Sequence, residues 1–233
     1  MPTTRRRPAD RPRMLSLALA LGLTAATASA AAQQDIDKVN GAISAVAGAE
    51  HGDLSTVNGS ITIADGARVR DATTVNGSVR AGHDVRVADL STVNGSIRVG
   101  ERALVGGSIE TVNGSIFVDA GSRVGADVET VNGAIGLVRT EVGGGVNTVN
   151  GDVTVGIGSR VRGGIKVSKP NRSWVPLQTT RGKPRIIIGP QAVVDGPLVF
   201  EREVVLYVHE TARIGPVTGA QAVSYSAATA PKD

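Results

Sequence analysis

Four aspartates pose the first chemical question. Asp53, Asp71 and Asp89 lie 18 residues apart and Asp127 returns in the same register. Stacked at the strand spacing of about 4.8 Å, such a row places carboxylates near the separation of about 5 Å that a retaining glycosidase uses, or where they could hold Ca²⁺. Arg68, Arg86 and Arg123 stand three or four positions ahead of Asp71, Asp89 and Asp127. A charge-compensated pair of surface rows is the plainer expectation. The three histidines, His51, His83 and His209, share no register, so neither a metal cluster nor a catalytic triad is expected. No serine lies in a nucleophile-elbow context. With no cysteine at all, disulfides, thiolate nucleophiles and cysteine-type zinc sites are excluded together. We expect no catalytic, cofactor-binding or metal-binding residues.

A second row is longer and more regular. Val-Asn-Gly recurs seven times, with its asparagine at Asn40, Asn58, Asn76, Asn94, Asn113, Asn132 and Asn150, at intervals of 18 or 19 residues. Asparagines stacked in this way can pass amide hydrogen bonds along a structural ladder at a buried corner, and Asn-Gly favours a tight turn with positive φ. The surrounding phrase is Thr-Val-Asn-Gly-Ser-Ile, as at Thr56 to Ile61. If Val57, Gly59, Ile61 and Ile63 face inward, Thr56, Asn58 and Ser60 face outward. The repeats then make a flat polar lattice able to bind a glycan or even ice.

The element that positions these rows must repeat with them. Short β-branched stretches alternate with Gly, Asp and Asn, which is the pattern of strand and turn. Leu54, Leu90, Ile109, Val128, Val146 and Ile165 form one apolar row, and Val69, Val87, Val105, Val124 and Val161 another. Three short strands in about 18 residues predict one coil of an all-β, single-stranded parallel β-helix (a β-solenoid). An antiparallel sandwich would explain the alternation but not the period. Val167, Ile186 and Val205 extend the spacing beyond Asn150, which gives roughly ten coils in all. Only five aromatics are present (Phe117, Trp174, Phe200, Tyr207 and Tyr225), as a narrow interior filled by Val and Ile requires. That poverty also argues against aromatic-lined sugar subsites and base-stacking platforms.

The phrases from Ile186 to Val217, including Ala192-Val193-Val194-Asp195-Gly196-Pro197-Leu198 and Ala212-Arg213-Ile214-Gly215-Pro216-Val217, resemble the coils of bactofilin-like, polymer-forming bacterial proteins. The Thr-Val-Asn-Gly-Ser-Ile repeats are similar to those of adhesin-like bacterial β-strand-repeat families. The resemblance implies a β-helix that assembles end to end or adheres to a partner. Bactofilins are cytoplasmic scaffolds, and the start of this chain departs from that pattern.

Residues 1–30 have five arginines, an apolar run from Met14 and then Ala28-Ser29-Ala30, which is the order of a secretory signal peptide. Removing those five arginines and Asp10 from 25 bases and 21 acids leaves 20 of each, so the mature chain is formally neutral. Export to the periplasm or the cell surface is expected, and no nucleic-acid partner. The expected organisation is a signal peptide (1–30), a lead-in (31–37), the Val-Asn-Gly β-helix (38–166), a basic Pro-containing coil or loop (167–185), bactofilin-like coils (186–219) and a mobile tail (220–233). From Val153 to Val194 the chain has eight bases and no acid, against nine bases and fifteen acids in residues 31–152. Arg172, Arg181, Lys183 and Arg185 are therefore candidate contacts for an anionic envelope polymer or a membrane surface. The functional expectation is an exported, non-catalytic structural or interaction rod whose strand edges favour self-association. The alternative is a carbohydrate-binding or carbohydrate-active β-helix that uses the Asp or Thr/Asn rows.

Overall fold

The computed structural model describes residues 34–170 and 182–231. The segment expected to be a signal peptide, Arg172, Trp174 and Arg181 lie outside those residues. Every strand pair is parallel, and among the described residues there is no helix. A ten-stranded sheet takes one three- to five-residue strand from each coil, from Ile43–Ala45 to Ala222–Tyr225, so the solenoid has ten coils. A second sheet of 17 strands forms the rest of the wall. Most coils give it a short strand such as Leu104–Val105 and a longer one such as Ile109–Asn113. In two coils these fuse into the nine-residue strands Arg68–Asn76 and Arg86–Asn94. One more residue at Gly106-Gly107 then separates them, and Leu90 pairs with Ile109 across 19 positions.

Alternation in the strands becomes burial. Ile61 and Ile63 are buried with Thr62 exposed between them, and the same pattern recurs at Ile43–Ala45 and Ile97–Val99. The column Leu54, Ala72, Leu90, Ile109, Val128, Val146, Ile165 and Leu198 runs in continuous register through the core. Each coil alone leaves its apolar face bare, so the stack of neighbours supplies the burial. Of the buried core side chains, those with rings belong to the last coils: Phe200, Tyr207 and Tyr225. Phe117 instead lies outside, half-buried, with the Arg98 guanidinium 5.1 Å from its ring centre.

Three boundaries differ from the sequence reading. Ile36 already pairs with Leu54, so the β-helix begins within the expected lead-in. Val167 and Ile186 are not successive rungs. Val167 stacks between Thr148 and Phe200, whereas Ile186 stacks between Val153 and Leu206. The chain therefore leaves one corner after Val167 and returns at Arg185, whose N–H meets the Asp152 carboxylate across 33 residues of sequence. Equal spacing concealed this because the excursion is close to one coil long. Finally, the stretch expected to be a mobile tail supplies the last strand, Ala222–Tyr225, which pairs with Val205–His209. Tyr225 anchors it: its ring packs edge-on against His209 with centroids 5.0 Å apart, and its hydroxyl donates to the Ile188 carbonyl at 3.3 Å. Burial pushes the pKa of that hydroxyl up.

Candidate functional site

Each letter of the repeated phrase has a separate structural position, and two of them reverse the expected parity. The threonines face inward: Thr56, Thr74, Thr92, Thr111 and Thr130 are buried and donate their hydroxyls to Gly41, Gly59, Gly77, Gly95 and Gly114 of the preceding coil at 2.8–3.2 Å. The valines face outward. Val39, Val57, Val75, Val93, Val112 and Val131 are 38–68% exposed and form an apolar column along the rod. The polar lattice read from Thr56, Asn58 and Ser60 therefore loses its threonines. A hydropathy rule puts Val inside; the part-buried glycine carbonyl instead requires a donor, and the Thr hydroxyl supplies it.

The asparagines form a relay. Each amide nitrogen from Asn58 to Asn150 donates to the side-chain oxygen of the asparagine one coil earlier, at 2.9–3.1 Å. This corner is exposed through Asn113 and half-buried at Asn132 and Asn150. The last acceptor is capped by Arg202, whose Nη1 donates to Asn150 Oδ1 at 2.5 Å and to the Val149 carbonyl at 3.1 Å. The glycines are needed mainly for space: a Cβ on Gly77 would lie 2.0 Å from the Gly59 oxygen, and one on Gly95 would lie 1.9 Å from the Gly77 oxygen. Positive φ, expected at this corner, occurs at Gly41 but not at Gly59, Gly77, Gly95 or Gly114, and it recurs instead at a different corner, at Gly48, Gly66, Asp84, Arg102, Gly121 and Arg139. Serines complete the phrase, since Ser60, Ser78, Ser96 and Ser115 accept the N–H of the equivalent residue one coil on.

The aspartate row is also occupied with stacking. Asp71 and Asp89 are in register, and Asp71 accepts the Asp89 N–H at 3.2 Å. Asp89 accepts the Ser108 N–H at 2.6 Å, and Asp127 the Gly145 N–H at 2.5 Å. The arginines pair differently from the expected rows. Arg68 binds Glu50 at 2.6 Å and Arg123 binds Glu141 at 3.0 Å, while Arg70 holds Asp53 and Asp35. Hydrogen bonds from Arg70 hold the Asp53 carboxyl below its ordinary pKa, and those from Arg162 and Arg123 do the same for Glu141. Neither Asp71 nor Asp89 lines the recess between Gly133 and Arg202, the one beside Arg68 and Arg86, or the one along Val93, Val112 and Val131. Among the described residues no cluster of His, Asp or Glu is arranged to hold a metal ion. The Nε2 of His51 accepts the Val46 N–H at 3.3 Å, and Nδ1 of His83 that of Glu101 at 3.2 Å.

Two surfaces remain. The first is the valine column, beside which Val93, Val112, Val131 and Val149 line a shallow groove of about 480 Å³ edged by Glu110, Glu129 and Lys166. The second is a cleft of about 720 Å³ at the corner where the chain makes its excursion. Lys183, Arg185 and Arg202 line it, together with Asn150, Gly151, Asp152 and Gly133. Of the four proposed anion contacts, Lys183 and Arg185 are thus brought together, while Arg172 and Arg181 lie outside the described residues. The excess of base along the sequence is partly cancelled in space: Arg160 pairs with Asp195, Arg162 with Glu141, Lys166 with Glu201 and Lys183 with Glu203. Arg185 also lies over the Tyr207 ring, 5.5 Å from its centre. Arg202 escaped the sequence reading because its partner Asn150 lies 52 residues away and no local pattern announces the contact.

Among the described residues no helix is long and apolar enough to cross a membrane. Comparison with protein-family models, curated proteins and solved structures finds no match to this chain.

Proposed function

We propose that the protein is an exported, non-catalytic rod of the bacterial cell envelope that acts as a scaffold or adhesin through its flat side. The observation that carries this reading is the exposed column Val39, Val57, Val75, Val93, Val112 and Val131. Six successive parallel coils hold it in register, and stacking does not require these side chains to be apolar. A contiguous apolar stripe edged by polar rows is a contact surface in the usual sense. The polar groups of the repeat, by contrast, bond to one another coil over coil, which speaks against the carbohydrate-active alternative.

The first coil bears on how copies meet. Lys38 occupies the inward register of the threonines, opposite Thr56, and its Nζ turns back to the Ala42 carbonyl at 2.8 Å. An inward-pointing lysine on an edge strand opposes the addition of another strand. The side of the rod therefore offers a better contact than this end. The basic cleft supports a secondary contact with an anionic envelope polymer through Lys183 and Arg185. The deciding experiment replaces Val57, Val75 and Val93 together by Lys and follows retention in the envelope fraction, with circular dichroism as the check on fold. Loss of retention with the β signal intact is the expected result; unchanged retention would sink the proposal.

A further inference from the structure

Seven identical Val-Asn-Gly tripeptides in one column give their asparagines the same local chemistry, so any difference among them is imposed by the fold. In an Asn-Gly pair the glycine nitrogen can attack the asparagine Cγ, because glycine has no Cβ to obstruct the approach. The nitrogen loses its proton and bonds to Cγ, the Cγ–Nδ2 bond breaks and ammonia leaves. Water then opens the resulting five-membered imide to aspartate or isoaspartate. A glycine N–H held in a hydrogen bond must first give up that bond.

In five coils it is held. Gly41, Gly59, Gly77, Gly95 and Gly114 donate to the carbonyl of the asparagine one coil later, at 2.9–3.1 Å. Among the described residues, Gly133 and Gly151 make no such bond. The cause is the excursion: the regular strand ends at Thr148, before Asn150, and no further Asn-Gly rung follows. The same corner carries two more features of the reaction. Arg202 places a guanidinium nitrogen 2.5 Å from Asn150 Oδ1, the oxygen on which negative charge develops as Cγ becomes tetrahedral. The cleft of about 720 Å³ lined by Gly133, Asn150, Gly151 and Arg202 admits the water that opens the imide.

We infer that Asn150 is a site of spontaneous intramolecular deamidation, followed by Asn132, and that the stack protects Asn40 through Asn113. Arg202 polarises the reacting amide and then faces the carboxylate product. An isoaspartate there lengthens the backbone by one methylene in the last Asn-Gly pair of the column, beside the basic cleft.

The test incubates the full chain at neutral and mildly alkaline pH, folded in one arm and unfolded in guanidinium in the other. Aspartate and isoaspartate are then quantified at each asparagine by peptide mass spectrometry. Unfolded, the seven sites should react at similar rates. Folded, Asn150 should react about tenfold faster than Asn58 through Asn113, the factor that corresponds to one backbone hydrogen bond, and all rates should rise with pH. Equal rates in the folded chain, or a faster reaction in mid-column, would overturn the assignment. Arg202→Met should slow Asn150 severalfold when folded and leave the unfolded rate unchanged. An unchanged or faster folded rate removes the role of Arg202, and the site ranking in the natural sequence tests the rest without that variant.

Discussion

Replacing Thr92 by Val tests the inverted parity of the repeat directly. The two side chains are nearly the same size, so the substitution opens no cavity, but it removes the hydroxyl that donates to the Gly77 carbonyl at 2.9 Å. That carbonyl sits against the backbone of the next coil, where a Cβ on Gly95 would be 1.9 Å away, so water has no room to replace the donor. A buried acceptor left without a partner costs about 1–3 kcal/mol. At about 2–4 °C per kcal/mol for a chain of this size, the melting temperature should fall by about 2–12 °C. Val93→Thr is the control. Val93 is 39% exposed and lies on the outer face, so this change should stay within about 0.5 kcal/mol. Differential scanning calorimetry of the two variants gives an ordering that leaves little latitude. If Val93→Thr proved the more damaging change, valine would be the inward residue and the account of the repeat would be wrong.

Two further outcomes follow from the same geometry. Gly77→Ala should cost at least about 3 kcal/mol, because its Cβ would meet the Gly59 oxygen at 2.0 Å and backbone cannot yield as a flexible side chain does. Gly48→Ala meets nothing within 4 Å and should cost only the left-handed strain of its φ of 68°, about 1–2 kcal/mol; guanidinium unfolding of both variants checks the order. Acid should weaken the rod through its ion-paired rungs. Asp53, Asp84, Glu141 and Glu201 have pKa values lowered by hydrogen bonds from Arg70, Arg102, Arg162 and Lys166 respectively. A carboxylate whose folded pKa is depressed contributes stability that is fully present above the ordinary carboxylate range and is lost as pH falls through the depressed value. These groups are exposed, so the decline should be shallow and should flatten further in 1 M salt. A melting temperature that does not change between pH 6 and pH 2 would contradict this.

The period was the most legible feature of the chain because a solenoid has one degree of freedom that sequence records without loss, the number of residues per turn. From it came the all-β class, the parallel stacking and the ten coils. The direction of each side chain was less legible. Ile61 and Ile63 read correctly because hydropathy and alternation agree there. Thr56 and Val57 read backwards because they conflict, and the conflict is settled by a backbone carbonyl that no composition rule can see. The Asn-Gly pairs misled in a similar way. Glycine there suggested positive φ, but its role at Gly59, Gly77, Gly95 and Gly114 is to leave room for the carbonyl above it. The left-handed corner lies at Gly48, Gly66, Asp84, Arg102, Gly121 and Arg139, where charged residues interrupt the glycines and break up the turn signature.

The same economy explains why a binding site is hard to read from the repeats. In a coil of 18 residues the threonine satisfies a glycine, the asparagine satisfies an asparagine, and the aspartate satisfies the N–H above it. A polar residue that recurs in the repeat is therefore engaged by the neighbouring coil, and recurrence signals structure, not recognition. Recognition has to come from what stacking leaves over. One such remainder is the outward valine, which repeats but bonds to nothing. The other is the corner where the chain makes its long excursion from the period, and there the asparagine column ends on Arg202 beside Lys183 and Arg185. Both are defined by departure from the pattern, the valine from hydropathy and the corner from period. In a regular solenoid, departures of these two kinds are where mutagenesis should begin.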